Sequence, residues 1–127
     1  MEIRPRVVIL EDNEMFAILL AETLGEYCEV VVGHNGLQGI ALCLEAHTDL
    51  VVTDIGMPDL DGVQMLREFQ KNPLLSSIPV LVVTATHFTQ RSRSEVERFP
   101  QVRAMLSKME RIDVIAEAAR KALQGAE

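Results

Sequence analysis

Short apolar runs alternate with stretches of helical periodicity along this chain. Val7-Val8-Ile9-Leu10, Val30-Val31-Val32, Leu50-Val51-Val52-Thr53 and Val80-Leu81-Val82-Val83-Thr84 are continuous runs of strand length, and Val102–Leu106 is a poorer one. Unbroken apolar strands, as opposed to alternating ones, are expected where a sheet is covered on both faces. Between them the period changes. Asn13–Gly25 carries Phe16, Leu19, Leu20 and Leu24 at helical spacing. Asn35–Ala46 places Leu37, Ile40, Ala41 and Leu44 on one face, and Asn35 with Gln38 has capping-box spacing. Asp61–Lys71 opens on an acid suited to an N-cap, and Pro73 bars its continuation. Arg111–Gln124 is amphipathic, with Ile112, Ile115, Ala116, Ala119 and Leu123 expected inward. His87–Phe99 is the weakest helix, with only Phe88, Val96 and Phe99 large and apolar before Pro100 ends it. An element that buries so little is expected to be the most mobile.

Five strand–helix repeats predict an α/β fold: a parallel sheet flanked by helices on both faces, wound by right-handed crossovers. At 127 residues the chain matches one domain, with a core from about residue 6 to residue 123. A hydrophobic content of 48% argues against disorder. The apolar runs are too short to span a membrane, and the first residues have no apolar leader core. Two cysteines make no disulfide framework; Cys43, on an apolar helical face, reads as a small core residue. Cytoplasm is the simplest expectation. Only Gln124–Glu127 looks loose, as a free terminus or the stub of a linker.

Charge narrows the partners. The net charge of −7 disfavours direct nucleic-acid binding. Residues 1–90 hold 13 acids and 4 bases, whereas residues 91–127 hold 6 acids and 8 bases. The C-terminal third is therefore either ordinary solvated surface or a face for a polar partner.

The candidate chemistry lies at strand ends. Glu11-Asp12 follows the first strand and Asp54 the third, while Thr84 and Ser107-Lys108 end the fourth and fifth. In open α/β sheets that carboxyl edge is where ligands bind. Carboxylates converging there repel each other, so such a cluster holds a cation or shifts a pKa. Hard oxygen donors suit Mg2+, which needs a few carboxylates and keeps water. An aspartate is a known nucleophile toward phosphorus, and Lys108 and the Thr84 hydroxyl are suited to bind phosphoryl oxygens.

These residues carry a resemblance. The acidic pair Glu11-Asp12, the block Asp54-Ile55-Gly56-Met57-Pro58-Asp59-Leu60-Asp61-Gly62, Thr84-Ala85 and Lys108 resemble a response-regulator receiver domain of two-component signalling, from near Arg6 to near Leu123. The resemblance implies a flavodoxin-like, doubly wound five-stranded sheet with five helices. It implies a phosphoryl group on Asp54, received from a sensor histidine kinase or histidine phosphotransfer protein. It implies Mg2+ held by Asp12, Asp54 and the Gly56 carbonyl, with Glu11 acting largely through water. Thr84 and Lys108 would contact the phosphoryl oxygens, and an output domain or protein target would meet the 87–123 face. Self-phosphotransfer and slow hydrolysis, not turnover of a metabolite, would be its chemistry.

Two positions depart from the family pattern. Met109 stands where proline usually follows the lysine through a cis bond. A non-proline cis bond costs about 2.5–4 kcal/mol, so this loop is either trans or strained. Met105 stands where Tyr or Phe usually partners the threonine in the switch; Met fills space but has no hydroxyl. These changes motivate an alternative, a phosphorylation-independent interaction module on the same fold. A flavodoxin-like cofactor carrier is disfavoured because Glu11-Asp12-Asn13-Glu14 would repel a cofactor phosphate. A hydrolase is disfavoured because Gly56 stands where its general acid would be. Asp59 and Asp61 are expected as turn and N-cap residues, and His34, His47 and His87 as surface residues. Tyr27 and the scattered phenylalanines read as packing. Thr86 and Gly56 occupy positions that tend to tune phosphoryl lifetime in the family.

Overall fold

The fold is that of a computed structural model describing residues 3–85 and 90–125. Five strands, β1 (Arg6–Leu10), β2 (Glu29–Gly33), β3 (Leu50–Thr53), β4 (Val80–Thr84) and β5 (Val102–Ser107), form one sheet. Its order is β2-β1-β3-β4-β5, and every neighbouring pair is parallel. Helices α1 (Glu14–Leu24), α2 (Gly36–Glu45), α3 (Gly62–Gln70), α4 (Gln90–Glu97) and α5 (Ile112–Gln124) follow the strands in turn. The chain reverses direction across the sheet at β1 and β3, so the loops after these strands diverge and leave a crevice between them.

The three central strands, β1, β3 and β4, are buried on both faces, and the edge strands β2 and β5 only partly. Val8, Leu10, Val51, Val80 and Val82 pack with Met65, Leu66 and Phe69 of α3, Cys43 of α2 and Val96 of α4. The alternate residues Val7, Ile9, Leu50, Val52, Leu81 and Val83 pack with Leu20 and Leu24 of α1 and Ile115, Ala119 and Ala122 of α5. This two-sided burial is why the strands read as unbroken apolar runs.

Helix faces differ from the sequence pattern in α1, α2 and α5, and in α2 glycine is the reason. In α2 the inward residues are Gly36, Gly39 and Cys43, with Ile40 partly buried, whereas Leu37 and Leu44 are 58% and 48% exposed. The cause is close approach. A Cβ on Gly39 would lie 2.4 Å from Leu10 Cδ1 and 2.9 Å from Met65 Sδ, so the helix rests on β1 and α3 through a bare backbone. In α1, Ala17 takes an inward place and Leu19 is turned out. In α5, Ala122 is buried while Ile112, Ala116 and Leu123 are only partly so.

Caps also differ. Asn35 Oδ1 accepts from Gln38 N–H as expected, but the Gln38 side chain accepts from His34 N–H, so no reciprocal box forms there. The reciprocal capping box is at Asp61–Gln64, which seals the start of α3. The weak helix expected over His87–Phe99 is α4, and its described residues begin at Gln90. His87, Phe88 and Thr86 lie outside the described residues. Val96 is fully buried and Phe99 packs partly against the core. No helix among the described residues is long and apolar enough to cross a membrane.

Candidate functional site

The carboxyl edge of the sheet gathers the residues that the sequence singled out. Register places the ends of β1 and β3 side by side, with Leu10 opposite Thr53, so Glu11 and Asp54 emerge as neighbours. Asp54 N–H donates to the Leu10 carbonyl at 3.0 Å, and Glu11 N–H donates to the Gly33 carbonyl at 3.1 Å. The acids are thus pinned by ladder hydrogen bonds that continue past the strands. Carboxylate oxygens of Glu11, Asp12 and Asp54 lie within 4.8 Å of one another. Glu11 and Asp54 are buried and Asp12 is exposed.

Lys108 enters from β5. Its Nζ lies 2.8 Å from Asp54 Oδ2 and 2.9 Å from Glu11 Oε2. Its backbone is fixed by donation of its N–H to the Thr84 carbonyl at 2.9 Å. The peptide after it is trans, as are all the described ones. Ser107 closes this loop by accepting the Met109 N–H on its hydroxyl at 3.0 Å, and Met109 itself is 80% exposed. A trans loop therefore presents the ammonium to both buried acids.

The β3–α3 loop shapes the other wall. Asp54 Oδ1 accepts from the Ile55 N–H at 2.6 Å, leaving Oδ2 on the lysine side. Asp59 turns the chain with φ 65°, a left-handed conformation tolerated by aspartate. A Cβ on Gly62 would fall 2.7 Å from the Asp54 carbonyl and 2.8 Å from Ile55 Cα, so α3 is pressed directly against the backbone that carries the acid. Asp61 is the N-cap, as expected.

Among the described residues the electrostatics of this cluster are unbalanced, with three carboxylates against one ammonium in contact with them. Burial pushes the Glu11 carboxyl above its ordinary range, and nearby Asp54 adds to the rise, against the lowering hydrogen bonds from Lys108 and Asn13. Burial works against the Lys108 charge, but hydrogen bonds and attraction from Asp54 and Glu11 outweigh it and leave the ammonium more basic than usual. Glu11 responds chiefly to burial, and Lys108 to the two carboxylates beside it.

Asp12, Asp54, Gly56, Thr84 and Lys108 line one open cleft of about 1020 Å³. Glu11 lies behind it, 2% exposed, with Oε2 accepting from both Lys108 and the Asn13 N–H. Met105 does not reach the cleft; it pairs with Val82 and packs partly buried against the core on the α3 and α4 side. Sequence reading missed several groups at the rim. Arg67 of α3 pairs with Glu95 of α4, and both line the cleft. Nothing in a single sequence marks two helix-surface charges 28 positions apart as neighbours. His34 and His47 are exposed, and the His34 ring Nδ1 donates to the Glu11 carbonyl at 3.1 Å.

A doubly wound sheet with an acid cluster and a lysine at its switch point defines a class, and comparisons name it. The response regulator receiver domain family matches over residues 7–120, so the chain belongs to that family. It is 31% identical over 103 residues to the polar-differentiation response regulator DivK of Brucella ovis, covering 80% of this chain and 82% of that protein. It is 34% identical over 82 residues, 65% of this chain, to hybrid signal transduction histidine kinase D of Dictyostelium discoideum. The chain spans only 5% of that kinase and 38% of another curated relative. A CheY-like receiver domain from Methanospirillum hungatei superposes with a TM-score of 0.88, covering 98% of this chain and 97% of that one at 19% identity. That last likeness speaks to the fold.

Proposed function

We propose that Asp54 is the phosphoacceptor of this receiver domain and takes its phosphoryl group from a phosphohistidine on a sensor histidine kinase or histidine phosphotransfer protein. The observation that carries this reading is the Asp54 carboxylate, 7% exposed at the floor of the cleft, with Lys108 Nζ 2.8 Å from one oxygen. A carboxylate oxygen attacks phosphorus, the P–O bond forms, and the P–N bond to the imidazole breaks. The bonding pair returns to the imidazole nitrogen, which takes up a proton from water. Such transfer depends on positioning and charge stabilisation more than on covalent help. Lys108 pairs with the phosphoryl oxygens, and the Thr84 hydroxyl, lining the same cleft, donates to one of them. Attack by water later releases phosphate and restores the carboxylate.

The donor set fits a hard divalent cation, because three carboxylates offer oxygens within 4.8 Å of one another. Asp12, Asp54 and the Gly56 carbonyl would hold Mg2+, with Glu11 behind them through water. Bound there, the ion supplies neutralisation of the charge that gathers on the phosphoryl oxygens.

The signal then travels between neighbouring strands. Thr84 pairs with Ser107 and Val82 with Met105, so a shift of Thr84 toward the phosphoryl group disturbs the packing of Met105. The 87–123 face is the proposed contact for an output domain or protein target. The reading treats residues 6–123 as one receiver core acting in the cytoplasm, to which two buried, unbridged thiols are suited. The contact between Lys108 and Asp54 supports it over a phosphorylation-independent module. Intact mass after incubation with acetyl phosphate and Mg2+, beside Asp54→Asn, tests it. One phosphoryl adduct absent from the variant is expected. No adduct from either acetyl phosphate or a phosphorylated histidine donor would overturn it.

A further inference from the structure

Among the described residues three groups hold the Lys108 ammonium, and two of them are charged. Beyond Asp54 and Glu11, the ring centroid of Phe16 lies 5.4 Å from Nζ. That is inside the roughly 6 Å over which an aromatic face attracts a cation. Phe16 is half-buried on the first turn of α1. Its place is set by the site itself. Phe16 N–H donates to Asn13 Oδ1 at 3.0 Å, and Asn13 N–H donates to Glu11 Oε2 at 2.9 Å. The carboxylate that accepts Lys108 thus also anchors the turn that carries the ring.

The charged partners change during the reaction, and the ring does not. When an Asp54 oxygen becomes part of an acyl phosphate, the carboxylate charge is replaced by charge on the phosphoryl oxygens. Lys108 must then re-pair while staying over the same cleft. Its backbone is held by the Thr84 carbonyl, but the stem beyond is long and flexible. Met109, 80% exposed, gives the loop no packed side chain beside it. We infer that Phe16 is a positioning residue for phosphotransfer: its face seats the Lys108 ammonium through the exchange of anionic partners. This rests on the phosphotransfer reading above.

The test replaces Phe16 by Leu, by Tyr and by mono-, di- and trifluorinated phenylalanine. Fluorination drains the negative ring face with little change of shape, so it keeps the comparison sound if Phe16→Leu folds poorly. Two quantities are read: the rate of acetyl phosphate labelling, and the Lys108 Hε chemical shift, which reports ring position without any reaction. Labelling of Phe16→Leu is expected to slow by roughly two- to fivefold. Tyr should restore the rate, successive fluorines should lower it stepwise, and the upfield ring-current shift of Hε should vanish only in Phe16→Leu. Equal rates across the fluorinated series, or no Hε change in Phe16→Leu, would overturn the inference. If the wild type takes no label, the phosphotransfer reading fails instead, and the Hε shift alone decides whether the ring seats Lys108.

Discussion

At the amino edge of the sheet, Arg6 Nη1 donates to the Leu42 and Ala46 carbonyls at 3.0 and 3.2 Å and to the Thr48 hydroxyl at 2.8 Å. Glu29 and Glu45 lie 3.8 Å from the same guanidinium, and the Asp49 carboxylate accepts the Arg6 backbone N–H at 2.9 Å. At the carboxyl edge, one ammonium is shared between Asp54 and Glu11, with Asp12 beside them. Both edges bury charge. The first meets its charge with carbonyls, a hydroxyl and flanking acids, and ties the end of α2 to the start of β3. The second is short of positive charge and opens into a cleft. Buried charge whose partners are complete is architecture, whereas buried charge left uncompensated is a place for chemistry.

The largest expected effect breaks the closed edge. Arg6→Met removes three hydrogen bonds donated by a charged group, to the Leu42 and Ala46 carbonyls and the Thr48 hydroxyl, and should cost about 3–5 kcal/mol in urea denaturation. Phosphoryl labelling of the protein that remains folded should be unchanged. A loss of labelling without a loss of stability would show that the two edges are not separable.

Gly62→Ala tests the link between packing and site. Its Cβ would meet the Asp54 carbonyl at 2.7 Å, and backbone cannot yield as a side chain does. A cost of about 1–3 kcal/mol is expected, with slower labelling because the displaced backbone carries Asp54, the proposed acceptor. Full labelling at the wild-type rate would place the strain elsewhere.

Lys108→Met deepens the deficit at the open edge. Discounted for partial exposure, the loss should be about 1–2 kcal/mol without divalent cation. Mg2+ should recover part of it, since a cation takes over the compensation. Melting with and without Mg2+ checks this, and equal losses in the two conditions would count against the charge-deficit account.

The smallest effect is a pH dependence. The Glu11 carboxyl is raised above its ordinary 4.5, so its contribution is full below that pH and is lost as pH rises through the folded value. Glu11→Gln has no such loss. Without Mg2+, the melting temperature of Glu11→Gln minus that of wild type should therefore rise as pH climbs from below 4.5 toward neutrality. A difference that stays flat or falls would contradict the direction of the shift.

Much of this contrast was legible in the sequence at one edge only. Glu11, Asp12, Asp54, Thr84 and Lys108 stand at strand ends, and strands in a parallel sheet bring their ends together. Arg6 gave no such signal, because its side chain donates to two backbone carbonyls and a hydroxyl more than 35 positions away. The inward face of α2 was misread for a related reason. Apolar periodicity places Leu37 and Leu44 inside, but Gly36 and Gly39 let the backbone itself make the contact. A glycine has no side chain for a hydrophobic pattern to register. Phe16 read as packing, since nothing local tells a core ring from one that faces an ammonium arriving from β5.

An Mg2+ titration followed by backbone amide shifts tests the central claim most directly. The account predicts saturable shifts at Glu11–Asn13 and Asp54–Met57, lost in Asp12→Ala, with Arg6 and residues 42–49 unmoved. Shifts spread evenly over the acidic surface, or undiminished in Asp12→Ala, would contradict it.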